Sequence, residues 1–189
     1  LAAIQLAAAV MRSGMELHFP PGTYLLEWDG AKPERAVYAL DLWKLDNIKI
    51  TGHKATIKIA SHDTGVYGGL MFLRARACKN IEVSGFHCDM SFVGTNISAL
   101  CYPESGFMYA HNTSENSGGA VPEVDQLRDV EVHHCSFNIR SQYGAYTTSP
   151  NPYMGDSNNG GKYYSVFVRG ELGDPAYSTQ NKGCNIHNN

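Results

Sequence analysis

Apolar residues recur at helical spacing only at the start of the chain. Ile4, Ala8, Met11 and Met15 fall three to four residues apart in a segment rich in Ala, Leu and Gln, and Gly14 supplies a stop. The spacing predicts one helix over residues 1–14. Beyond it the period changes to two: Leu17 and Phe19 alternate with polar neighbours, and Pro20-Pro21-Gly22-Thr23 forces a turn before Tyr24-Leu25-Leu26.

From there the alternation is organised as a repeat, a polar or Gly residue followed by apolar, any, apolar, any and a turn residue. It occurs as Asn47-Ile48-Lys49-Ile50-Thr51-Gly52, Asn80-Ile81-Glu82-Val83-Ser84-Gly85, Asp129-Val130-Glu131-Val132-His133-His134 and Gly183-Cys184-Asn185-Ile186-His187-Asn188. Extending the register superposes Ala55, Cys88 and Phe137, then Ile57, Met90 and Ile139. Starts at 47, 80, 129 and 183 lie 33, 49 and 54 residues apart, so loops of variable length join strands of fixed pattern. A short strand precedes each copy, at 39–42, 71–74, 108–111 and 166–169. Each unit thus contributes about three strands and cannot bury its apolar side alone. The expected fold is all-β: a right-handed parallel β-helix, a β-solenoid with three strands per coil, carrying an N-terminal capping α-helix. An antiparallel sandwich also offers many short strands, but gives no reason to repeat one register.

With 189 residues, 43% hydrophobic and 17% charged, the chain is long enough for one domain over 1–189, with entry strands and about four coils after the helix. The net charge of -3, without a basic face, argues against nucleic acid and anionic membrane as partners, and no stretch has the length of a membrane span. Five cysteines without a C-x-x-C spacing read as small buried apolar residues. The chain opens without Met and stops inside a repeat, so it is expected to be the N-terminal portion of a longer polypeptide.

Ala2-Ala3-Ile4-Gln5, followed by Phe19-Pro20-Pro21-Gly22-Thr23-Tyr24, resembles the N-terminal part of the pectate-lyase-like superfamily, including the β-helix modules of bacteriophage tailspikes and depolymerases. In that family an Ala-Ile-Gln helix caps the open end of the β-helix and a Pro-Gly-Thr-Tyr turn leads into the first coil. The resemblance implies a polysaccharide-binding and polysaccharide-cleaving protein acting on a bacterial surface glycan, a homotrimer, and a place in a virion tail or outside the cell. Its members include lyases, glycosidases and non-catalytic receptor binders, so fold alone selects no reaction. The Asn-Thr-Asp and Asp-Asp pairs of polygalacturonases are absent from this sequence.

In-register strands lie about 4.8 Å apart, so equivalent residues become neighbours. On the strands before the repeats the alignment gives two columns: Ala39, Phe72, Tyr109, Phe167 and Asp41, Arg74, His111, Arg169. Strict alternation puts both outside, an aromatic ladder beside a mainly basic one, which suits an acidic polysaccharide: sugar C–H faces pack on rings and cations pair with carboxylates. A local bulge turning the aromatics inward is the alternative. The loop from Ser141 to Lys162 adds Tyr143, Tyr146, Tyr153 and Asp156 as further substrate contacts or as an ordinary surface excursion.

For elimination from a uronic acid, Arg74 or Arg169 would neutralise the carboxylate and His111 or Tyr109 would take the proton, with Asp41 the acidic member of the column. For hydrolysis, Glu82 and Glu131 stand in neighbouring repeats, but beside Lys49 and away from the long loops they read as a solvated ladder. His133 and His134 should point to opposite sides of a strand and so cannot share an ion unaided. No cofactor is implied; a calcium bridge from Asp41 to an acidic sugar is the one cation role considered. The rival readings are a non-catalytic adhesin and a secreted bacterial lyase or glycosidase.

Overall fold

The computed structural model describes residues 1–27, 37–60, 70–91, 105–112, 123–140, 163–169 and 185–189. It opens with α1 (Ala2–Val10), four residues shorter at its end than the periodicity predicts. Met11 already has extended backbone, so the Met11 side chain reaches the core from outside the helix, while Gly14 takes a positive φ in the following turn. Ile4 and Ala8 pack against the core, and the helix lies on β3 (Val37–Trp43).

The other strands are β1 (Glu16–His18), β2 (Gly22–Glu27), β4 (Asp46–Ala60), β5 (Leu70–Arg76), β6 (Lys79–Ser91), β7 (Ser105–His111), β8 (Arg128–His133), β9 (Ser136–Arg140), β10 (Tyr163–Arg169) and β11 (Asn185–His187). Every pairing among them is parallel, which excludes the antiparallel sandwich. They do not, however, form the expected right-handed β-helix with three strands per coil. The described strands make two sheets, one of seven strands in the order β1-β4-β6-β8-β11 with β2 on β4 and β9 on β6, and one of four in the order β10-β7-β5-β3, and these do not close into a solenoid. The physical reason lies in β4 and β6. Each runs on for 15 and 13 residues through the point where a corner between two separate strands was expected.

The repeats stack as the pattern dictates. Ile48, Ile81 and Val130 align, as do Ile50, Val83, Val132 and Ile186. At the head of each repeat Asn47, Asn80 and Asp129 adopt φ of 56, 52 and 52°, the left-handed conformation that Asn and Asp tolerate best among residues with a side chain. Past the bend the alignment departs from expectation. Gly52-His53-Lys54 occupies the bend of β4 where β6 has Gly85 alone, so Ala55 pairs with Phe86, and Ile57 with Cys88. Phe86 turns into the core beside Phe19, Phe72 and Phe107, and Phe107 meets Phe137, with ring centroids 5.1 to 5.6 Å apart. This aromatic column and the aliphatic rows of both sheets form one core. Cys78, Cys88 and Cys135 lie buried in or beside it as free thiols.

Candidate functional site on the outer face of the four-stranded sheet

In β3 and β5 consecutive buried residues precede the alternation, Ala39 and Leu40 in β3 and Leu70 to Leu73 in β5, whereas in β7 the residues from Gly106 to His111 are all buried. The ladder of paired residues passes over Ala39, Phe72 and Phe107, and both these residues and their successors Leu40, Leu73 and Met108 are fully buried. The kink reverses which side the preceding residue faces, so Tyr38 emerges beside Asp41 rather than opposite it. After the kink, Asp41 and Trp43, Arg74 and Arg76, and Tyr109 and His111 share the outer face, while Leu42, Ala75 and Ala110 point to the core.

That face is chemically dense. The Arg74 guanidinium donates to both Asp41 carboxylate oxygens, from Nε at 2.9 Å and from Nη2 at 2.6 Å, and Arg76 adds a third bond to Oδ2 at 3.0 Å. The same guanidinium lies 3.7 Å from the centre of the Tyr38 ring. Half-burial opposes the Arg74 charge, but the hydrogen bonds and attraction of Asp41 outweigh it and hold its pKa above the ordinary arginine value. Trp43 is 58% exposed, with Arg76 and Lys44 at 5.4 and 5.9 Å from its ring. Tyr109 and His111 stack at 4.6 Å and are almost wholly buried.

Against the predicted columns, Asp41 and Arg74 are neighbours, and Tyr109 and His111 pair with Phe167 and Arg169 of β10 as expected. Between β5 and β7, however, the register is offset by two. Arg74 pairs with Tyr109, and Arg76 with His111, a match repeated where the Ala77 N–H donates to the His111 carbonyl at 2.9 Å. The true rows are therefore Asp41, Arg74, Tyr109, Phe167 and Trp43, Arg76, His111, Arg169. Phe72 is not on the outer face at all: it is fully buried and stacked on Phe107 at 5.1 Å. Of Phe167 and Arg169 the backbone register is described; Tyr143, Tyr146, Tyr153 and Asp156 lie outside the described residues. Sequence reasoning missed Tyr38, Trp43 and Arg76. The last two were within reach, since the alternation that exposes Asp41 and Arg74 exposes the residues two further on.

The geometry limits what Arg74 and His111 can do. Arg74 is engaged by Asp41, so its charge is not open to a substrate carboxylate without breaking a bidentate pair. The His111 ring contacts the Asn112 carbonyl through Nδ1, which must therefore donate and is not the base. Asn112, the head of an Asn-Thr-Ser sequon, is itself buried, its side-chain oxygen accepting the Leu127 N–H at 2.7 Å.

A groove of about 440 Å³ lies on the other sheet, lined by Asn47, Lys49, Asn80, Glu82, Asp129 and Glu131 among others. Here the predicted ladder of Lys49, Glu82, Glu131 and Asn185 is in register. Lys49 meets Glu82 at 2.7 Å; that hydrogen bond holds the Glu82 carboxyl below its ordinary pKa and the Lys49 ammonium above its own. His133 and His134 do not point apart as expected. His134 is left-handed, with φ of 52°, and its Nδ1 lies 2.6 Å from that of His133.

Among the described residues, fold and site together define a protein of parallel β-sheets with one short α-helix and a partly exposed aromatic–arginine face. No protein-family model, curated protein or solved structure matches the chain.

Proposed function

We propose that this protein binds polysaccharide on the outer face of its four-stranded sheet. The observation that carries the reading is the exposed Trp43 ring set beside Arg76, with Tyr38, Arg74 and Asp41 on the same surface. An exposed indole beside an arginine offers a sugar ring an apolar platform and its carboxylate or hydroxyl groups a charged donor. The pairing of Arg74 with Asp41 favours recognition over cleavage, because it occupies one of the two cations that elimination would have drawn on. The resemblance of the Ala-Ile-Gln and Pro-Gly-Thr-Tyr segments to tailspike and depolymerase modules supports a bacterial surface glycan as ligand. The trimeric, virion-tail or secreted setting that this resemblance implies belongs to the same proposal.

A glycan array with purified protein tests the reading. Binding to a subset of acidic bacterial polysaccharides, lost in Trp43→Ala and weakened in Arg76→Gln, is expected. An unsaturated uronate released by wild-type protein would restore the lyase reading, and binding unaffected by both substitutions would refute this face.

A further inference from the structure

Asp41 sits between the two arginines of the outer face. Strand pairing sets Arg74 beside Asp41 and Arg76 beside Trp43, so both guanidiniums reach the one carboxylate. Its Oδ1 accepts from Arg74 Nε at 2.9 Å, and its Oδ2 accepts from Arg74 Nη2 at 2.6 Å and from Arg76 Nη2 at 3.0 Å. The carboxylate keeps 35% of its side-chain surface in solvent, so an arriving anion meets it as well as the arginines.

The two arginines are unequally committed. Arg74 gives Asp41 its whole Nε–Nη2 edge and lays its plane on the Tyr38 ring at 3.7 Å. Arg76 gives Asp41 a single bond through Nη2, and its enclosed Nε meets no acceptor among the described residues. Arg76 also stands 5.4 Å from the centre of the exposed Trp43 ring. Two guanidiniums against one carboxylate leave one positive charge among these three side chains. Arg74 is the cation that Asp41 neutralises, and Arg76 is the cation left to act beside the indole.

We propose that Asp41 sets which anionic glycans this face accepts, admitting chains with widely spaced carboxylates and turning away densely charged ones. The inference rests on the reading of this face as a glycan-binding surface. A lone carboxylate on a sugar seated at Trp43 can take the donors of Arg76 that Asp41 leaves open. A second anionic group close along the same chain has only Arg74 to turn to. Asp41 already fills the bonding edge of that guanidinium and repels the newcomer with its own charge. A like charge placed beside the binding cations separates ligands that share the same attractive contact. Because the carboxylate is partly exposed, solvent and salt screen the repulsion, and the discrimination is correspondingly modest.

Dextran sulfate serves as the densely charged probe and dextran as the neutral one, with binding followed by biolayer interferometry at fixed ionic strength. Asp41→Asn keeps the shape of the side chain and removes its charge. It should tighten dextran sulfate binding about twofold to fivefold, the range of one partly exposed charge pair, and leave dextran unchanged. Arg74→Gln added to Asp41→Asn should cancel the gain, and Glu131→Gln, which removes the same charge from the other sheet, should not produce it. Should Asp41→Asn fail to fold, Asp41→Ser is read in its place with the same expectation. Equal dextran sulfate binding by wild type and the Asp41 variant, or an equal gain in Glu131→Gln, would overturn the proposal. Array binding that ignores both Trp43 and Arg76 would remove the glycan reading and this proposal with it. Trp43-dependent array binding without the gain at Asp41 would overturn this proposal alone.

Discussion

Phe86 fills the space that a side chain at position 52 would need: a Cβ built on Gly52 would lie 2.2 Å from the Phe86 ring. Gly52→Ala is therefore expected to expel that ring from the aromatic column and lower stability by about 1–3 kcal/mol, measured from the urea midpoint. In a Phe86→Leu background the same substitution should cost much less, because the two positions share one volume. Equal costs in both backgrounds would show that the bend of β4 is held by something else. Burial likewise pushes the Cys78 thiol up to about 11 and the Cys88 thiol up to about 12. A raised folded pKa gives a contribution fully present below the ordinary thiol value of 9.0 and lost as pH rises through 11 to 12. Melting temperatures should fall over that window, and less steeply in Cys88→Ala. At the residue scale much was legible. The polar heads of the repeats and the inward rows could be read because each depends on its own strand, and Trp43 and Arg76 were lost only by ending those strands one and two residues early.

At the scale of elements, the limit of sequence reading was register. A pattern of period two is unchanged by a slip of two, so alternation placed Asp41, Arg74 and His111 on the correct face while leaving their mutual heights undetermined. Where the repeat had a polar head and a turn on both sides, as in β4, β6, β8 and β11, the alignment held. Where a strand was flanked by long insertions, as in β7, it shifted. Phe72 shows the second limit: a kink after position 71 breaks strict alternation, and nothing local in Met71-Phe72-Leu73 announces it. The correctly read ladder makes its own prediction. The lowered folded pKa of Glu82, caused first by the Lys49 hydrogen bond, contributes stability present above about pH 4.5 and lost as pH falls through the folded value. Glu82→Gln should flatten the acid limb of a stability–pH curve while leaving the alkaline limb unchanged. An unaltered acid limb would mean that this pair does not persist in solution.

At the scale of the whole molecule, the repeats correctly announced parallel strands stacked around one core, but not how the faces divide. Continuity of β4 and β6 through their bends turns what reads as two faces into one seven-stranded sheet, because a bend that keeps its hydrogen-bonded ladder is indistinguishable in sequence from a corner that breaks it. The division matters for function. It leaves two outer surfaces of different chemistry, arginines and aromatics on the four-stranded sheet, carboxylates and imidazoles on the other. Binding to an acidic glycan on the first surface should weaken with added salt, since it draws on partly exposed cations. The most direct test uses Trp43 itself. The chain has two tryptophans, so Trp28→Phe leaves Trp43 as the sole indole emitter, and its fluorescence can be followed during titration with an acidic bacterial oligosaccharide. A saturable change in intensity with a shift to shorter wavelength, weakened in the Arg76→Gln background, is the expected result. Binding detected by calorimetry with no response from Trp43 would place the glycan elsewhere and contradict the account.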